Sequence, residues 1–373
     1  MDVSNPDRVV FPEIGRTKGE VVAYYERIAS RLLPHVSGRP LSIRRYPKGL
    51  AAPGFFQKNV PPHYPESIER FAVPRSRAAS KKHRGKGGQD RDVTVYPVLR
   101  RAEDIPYLAN QGAIELHVPP SSAADPFHPD RLVIDLDPPA GAFARVRRAA
   151  YVVRDALAEH GLASVPVATG SKGYHVVAAI RPAASSETIA VALQKFAALL
   201  AARYPDELTI VFRVALRGER VFVDWLRNNP LATVVVPYSL RARPRATVAT
   251  PLAWSEIDTT DPDAFGSATW IASSIARIPS PSSPPLPAAR NASSPPSTRS
   301  SRRRASSLRR STASVPRRSP RGERISQYLT GRMGLGGKTC ARSRCSRCRS
   351  CALRNRRRVS TGTDYASVAL WVR

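Results

Sequence analysis

The sequence predicts an α+β fold over residues 1 to 275, followed by a basic tail from 276 to 373 that stays disordered. Three observations lead there. Segments with the 3.6-residue apolar period of helices are interleaved with short segments of the two-residue period of strands. Two of those strands flank a Gly-containing turn and read as a hairpin. The composition changes abruptly beyond residue 277, where large apolar residues become scarce and Arg, Ser and Pro dominate.

In chain order, Val21, Val22, Tyr25, Ile28 and Leu32 recur near the helical period and predict an amphipathic helix over Lys18 to Val36 with one buried face. Leu41 to Pro47 alternates and suits a strand. The basic, Gly-containing run Arg75 to Lys86 predicts a mobile loop that touches phosphates or, as is commoner for charge runs, simply stays solvated. Arg131 to Asp137 (RLVIDLD) reads as a strand, Phe143 to His160 as a second amphipathic helix, and Ser164 to Ile180 as strand, tight turn and strand. Glu219 to Asn228 (ERVFVDWLRN) reads as a further apolar strand.

Charge narrows the function. The 373 residues carry 59 Lys and Arg against 29 Asp and Glu, a net of +30, which favours a polyanionic partner such as nucleic acid over a small neutral metabolite. The excess is uneven. Residues 278–373 contain 22 basic and two acidic residues, a net of +20, which leaves +10 for the front of the chain. Such a tail buries too little apolar surface to offset chain entropy. Only Lys338 among its basic residues is a lysine, the bias an out-of-frame reading of a GC-rich gene would give, so a frameshifted end after Trp270 is expected. All four cysteines lie there, Cys340, Cys345, Cys348 and Cys351. Their spacing loosely resembles a zinc or iron–sulfur motif, but without an apolar shell it reads as chance. No run of about 18 apolar residues suggests a membrane span, and Met1 to Phe11 has no secretory pattern. A cytoplasmic, nucleoid-associated bacterial protein is expected.

The middle of the chain carries the chemistry. In a strand, a period of two puts Asp135 and Asp137 on one face. Neighbouring carboxylates repel unless a cation lies between them, which makes D-x-D at a strand end a seat for Mg²⁺ or Mn²⁺, although acids at a strand-to-turn boundary also serve as plain caps. In SVPVATGSKGYHVVAAI, Gly170 and Gly173 let backbone approach a ligand, Ser171 and Lys172 supply donors, and His175 points to the same side. An ordinary hairpin with a charged tip is the simpler account of a lone GSKG. Asp224 sits among Val221, Phe222, Val223 and Trp225, costly to bury unless bound to metal or paired with Arg220 or Arg227. Three acids and a phosphate-type turn in one domain fit two-metal phosphoryl transfer.

Taken together, NPDRVVFP, RYPKG, GFFQK, IELHVP, DLDPP, TGSKGYHV, VFVDW, PYSLRARP and PLAWSEID resemble the polymerase domain of bacterial ligase D, the end-joining branch of the archaeo-eukaryotic primase superfamily. The resemblance runs from Asn5 to Asp258. It implies a primase-like fold, with mixed and antiparallel sheets flanked by helices, and a nucleotidyltransferase that extends 3′ ends at DNA gaps or breaks in non-homologous end joining, preferring ribonucleotides. By the same resemblance Asp135, Asp137 and Asp224 bind two ions, Mn²⁺ or Mg²⁺. His117, Ser171, Lys172, His175 and Arg241 contact the incoming nucleoside triphosphate. Phe55 and Phe56 stack on bases, and Arg8 and Lys18 hold a 5′-phosphate. Ku and a separate DNA ligase are the implied protein partners. The ligase signature K-x-D-G is absent, so a stand-alone paralogue is expected. Leu226 and Arg227 depart from the small or polar pair the family commonly has after its third acid, and the segment Phe212 to Arg220 matches only loosely, which bears on primer handling. Two other readings are an inactive DNA-end-binding factor with the same fold, and an RNA- or metal-binding protein driven by the tail.

Overall fold

A computed structural model of the chain describes residues 2–74 and 93–270. The expectations for the loop at Arg75 to Lys86 and for everything beyond residue 270, including the cysteines, fall outside the described residues.

The first helix, α1 (Lys18–Val36), starts where the sequence requires. Thr17 accepts a hydrogen bond from the Glu20 amide, and the Glu20 carboxylate accepts one from the Thr17 amide, so two otherwise unpaired helix-end donors are satisfied reciprocally. With α2 (Asp104–Asn110), α1 covers one face of a four-stranded antiparallel sheet ordered β13 (Val234–Val235), β7 (Ala113–Val118), β3 (Ser42–Arg45), β4 (Phe55–Gln57). Ile43, Ile114 and Leu116 pack toward the helices, while alternation turns Glu115 and His117 the other way.

The second sheet has six strands, ordered β11 (Leu208–Thr209), β12 (Val221–Asp224), β8 (Arg131–Asp137), β10 (Tyr174–Ala179), β9 (Ser164–Ala168), β14 (Thr250–Pro251). All pairings are antiparallel except β11 with β12. Helices α3 (Phe143–Glu159) and α4 (Ser186–Arg203) cover one face through Val146, Val153, Leu157, Leu193 and Leu200, packed on Leu132, Ile134, Leu136, Val176 and Val223. On the opposite face Val133, Val167 and Val177 meet Val234 of the first sheet. The helices therefore lie outside and the bare sheet faces look at one another. Two hairpin sheets, β1 (Val9–Phe11) with β2 (Arg16–Thr17) and β5 (Glu69–Pro74) with β6 (Val93–Val98), complete the order. The α+β architecture expected from the sequence is thus the one observed.

One strand is shorter than its apolar pattern suggests. Glu219 to Asn228 was expected to be extended, but β12 stops at Asp224 and Leu226–Asn228 form a 3-10 turn. The cause is local side-chain bonding that competes with the ladder. Asp224 Oδ1 accepts from the Leu226 amide, and the Asn228 amide group donates to the carbonyls of Val133 and Trp225 while its Oδ1 accepts from the Val133 amide.

Candidate active site

The face of the six-stranded sheet that turns from its helices carries the acids. In β8 the alternation that buries Ile134 and Leu136 against α3 sends Asp135 and Asp137 into the space between the sheets. Asp135 is the direct cross-strand partner of both His175 on β10 and Asp224 on β12. The three acids expected to act together therefore share one face of adjacent strands.

The β9–β10 turn closes the cleft. Gly170 has φ +65° and its amide donates to Pro262. A Cβ on Gly173 would lie 1.9 Å from the Leu136 carbonyl, so only glycine lets the turn sit over β8. Ser171 accepts from Arg243 Nη2 at 2.9 Å, and the Lys172 ammonium lies 3.3 Å from Asp137. The cleft measures about 190 Å³ and is lined by His117, Asp135, Asp137, Ser171, Lys172, His175, Arg227, Arg241 and Arg243 among others. The structure thus brings together His117, Ser171, Lys172, His175 and Arg241 with two of the acids. Asp224 adjoins them through Asp135.

Electrostatics follow from burial. Asp224 is pushed up to about 6 by burial, against which Arg227 acts and with which the nearby Asp135 cooperates. Asp135 is raised by burial and by Asp137, with Arg227 again opposing. His175 falls to about 3, because burial and the cations Arg227 and Arg241 disfavour its protonation. It stands neutral at pH 7, 3.6 Å from Asp135. His117 is lowered by burial, partly offset by its hydrogen bond to Glu115 at 2.9 Å.

Four participants were missed as site residues. Glu115 is 1 % exposed and is the hub of the opposite wall, 2.9 Å from His117, 3.4 Å from both Arg241 and Arg44, and accepting from the Ala242 amide at 2.8 Å. Its carboxyl drops to about 2, since the His117 hydrogen bond and Arg241 outweigh the burial that opposes ionisation. An acid inside the apolar strand AIELHV was the available signal, the same one that marked Asp224. Arg243 and Arg227 sit in charged surroundings that sequence cannot rank, and Arg44 lies 5.8 Å over Phe56. Arg227 is the partner Asp224 finds, at 3.3 Å, while Arg220 donates to the carbonyls of Leu216 and Arg217 instead.

The remaining expected residues lie outside the cleft. Phe55 and Phe56 are 49 % and 56 % exposed, so neither is core. Alternation separates them: Phe56 meets His117 at 5.5 Å, while Phe55 lies by Arg45. Arg45 lines a second hollow of about 170 Å³ with Ser4, Asn5, Arg8, Lys18 and Gln111. Arg8 is exposed there, but Lys18 is 6 % exposed and its ammonium donates to Ser4 Oγ and the Ser4 carbonyl, both at 2.6 Å. Burial and then Arg8 lower the Lys18 pKa.

The donor set at the acids is all carboxylate oxygen, the chemistry of a hard divalent cation such as Mg²⁺ or Mn²⁺. Each acid is, however, engaged by a basic side chain. Among the described residues no three His, Cys, Asp or Glu side chains form a ready-made metal group. The donors fit a cation once those partners move. No helix among the described residues is long and apolar enough to cross a membrane.

The cleft thus lies between two facing sheets, with acids on one and a basic turn beside them. The model of the LigD primase-polymerase domain matches residues 17–278, and the chain belongs to that family. It is 35 % identical over 265 residues to the multifunctional non-homologous end joining DNA repair protein LigD of Mycobacterium tuberculosis, covering 69 % of this chain and 33 % of that protein. To the bifunctional LigD of Bacillus subtilis it is 28 % identical over 253 residues, covering 67 % and 38 %. The chain therefore spans about a third of the length of these relatives. The solved polymerase domain from Mycobacterium tuberculosis ligase D, in complex with DNA, superposes with a TM-score of 0.62 at 33 % identity, over 69 % of this chain and 88 % of that one.

Proposed function

We propose that residues 1 to 275 form a DNA-end polymerase that adds nucleotides, ribonucleotides by preference, to 3′ ends at gaps and breaks carrying a 5′-phosphate. The observation that carries the reading is the cleft itself, where Asp135 and Asp137, with Asp224 paired across the strands to Asp135, lie beside the cationic group of Lys172, Arg241 and Arg243. That pairing suits a nucleoside triphosphate held by metal. Lys172, Ser171 and Arg241 bind its phosphates and neutralise their charge, His117, fixed by Glu115, contacts the sugar and phosphates, and neutral His175 supports Asp135. Two divalent ions, Mn²⁺ or Mg²⁺, held by the three acids, would activate the 3′-hydroxyl and stabilise the charge on the leaving pyrophosphate.

Phe56, whose ring meets His117 at 5.5 Å, supplies a stacking surface beside the cleft. Arg8, with Lys18 as its buried support, binds the terminal 5′-phosphate in the second hollow. A Ku-type end-binding protein and a separate ligase are the partners this activity would need. The non-homologous end joining named for the relatives is the process proposed here. Because Arg227 bridges two of the acids, a second reading, an end-binding factor without turnover, has a specific observation behind it. Extension of a gapped, template-bearing primer in Mn²⁺ separates the two. The proposal expects addition with ribonucleotides at least as fast as with deoxyribonucleotides, and end binding with no addition would favour the second reading.

A further inference from the structure

One side chain in the cleft is not required by the proposed reaction. Arg227 stands in the 3-10 turn after β12, three residues beyond Asp224. Its Nε lies 3.1 Å from Asp135 Oδ2 and 3.3 Å from Asp224 Oδ2, so one N–H spans carboxylates from neighbouring strands. Asp135 and Asp224 are direct cross-strand partners. A hard divalent cation held by Asp135 and Asp224 would draw on the same carboxylate oxygens. A guanidinium and a divalent ion cannot share that space, because the two cations repel. Asp137 is held differently, by Lys172 at 3.3 Å, with its side chain 28 % exposed. The cleft thus offers two unequal cation positions: a more exposed one at Asp137, beside the half-exposed Lys172, and a more buried one between Asp135 and Asp224, filled by an arginine.

We propose that Arg227 is a resident counter-cation that occupies the ion position between Asp135 and Asp224, and that an ion loads this position only by displacing it. The proposal rests on the metal reading above and adds to it a competitor supplied by the chain itself. Arg227 is 40 % exposed at its side chain and lines the cleft with Ser171, Lys172, Arg241 and Arg243. The displaced guanidinium therefore has a destination, the phosphates of a bound nucleoside triphosphate, for which its planar fork is suited. Nucleotide and ion then assist one another: the nucleotide draws Arg227 off the acids, and the ion frees Arg227 for the phosphates. Such coupling is reciprocal.

Mn²⁺ binding to the whole chain, read as loss of the free-ion spectrum in electron paramagnetic resonance, tests this apart from activity. Arg227→Gln is expected to bind the tighter Mn²⁺ at least about tenfold more strongly than the parent, the ratio that corresponds to losing one charge-assisted hydrogen bond. A non-hydrolysable triphosphate should raise the parent's Mn²⁺ affinity by more than it raises the variant's. Arg227→Lys, whose point charge lacks the fork, should fall between the two, and it carries the test if the Gln variant melts early in chelator. Equal Mn²⁺ affinity in parent and variants, with binding still lost in Asp224→Ala, overturns the role of Arg227 and leaves the metal reading standing. Unchanged Mn²⁺ binding in both Asp135→Ala and Asp224→Ala overturns the metal reading and this inference with it.

Discussion

Asp224 ends a strand whose other members are apolar, and burial holds its carboxyl near pH 6 rather than at its ordinary 3.8. A carboxyl raised in the folded state binds its proton more tightly than in the unfolded chain. Its contribution to stability is therefore complete below about pH 4 and declines as the pH rises through 6. In metal-free protein, Asp224→Asn should raise stability at pH 7 by about 1 to 3 kcal/mol. That gain should vanish at pH 4, while catalysis is lost. Thermal melts in chelator at the two pH values check this, and identical melting at pH 7 would show that Arg227 fully compensates the buried charge. Gly173 gives the opposite case. Gly173→Ala forces a Cβ into the Leu136 carbonyl and should cost more than about 2 kcal/mol, visible as a lowered denaturant midpoint.

At the scale of elements, the sequence was most readable where one periodicity ran uninterrupted. Lys18–Val36 and Arg131–Asp137 have the bounds their patterns suggest, because a capping box fixes the first and alternation the second. Glu219 to Asn228 misled because Asp224 and Asn228 bond to nearby backbone, a competition that apolar patterning does not register. Glu115 and Arg227 escaped as site residues because, beside the near partners His117 and Asp224, each reaches groups far along the chain, Arg241 and the Ala242 amide for Glu115 and Asp135 for Arg227. Strand alternation also divides two neighbours. Phe56→Ala should weaken nucleotide or template binding several-fold with little change in melting, as its ring is half exposed. Unaltered binding would remove it from the site. Arg8→Ala should erase the preference for a 5′-phosphorylated gap while the fold stays intact, because Arg8 is exposed, whereas Lys18→Ala should also lower stability through its bonds to Ser4. Equal loss on phosphorylated and unphosphorylated gaps would indicate a general backbone contact instead.

For the molecule as a whole, the charge lies mostly outside the family match. Residues 279–373 hold a net +20 and the remainder +10, yet the acids, the basic turn and the hollow at Arg8 all fall in the front part. A chain ending at residue 278 should therefore keep end-directed nucleotide addition and lose nonspecific DNA affinity, with a shallower dependence of binding on salt. Complete loss of DNA binding would move the function to the tail. The most direct test of the cleft as a polymerase site is nucleotide addition to a gapped duplex in Mn²⁺ by the parent and by Asp137→Ala, with DNA affinity measured alongside. Addition should fall at least about a hundredfold in Asp137→Ala with DNA affinity nearly unchanged, since the acids act mainly on the transition state. Extension by Asp137→Ala at the parent's rate would contradict it.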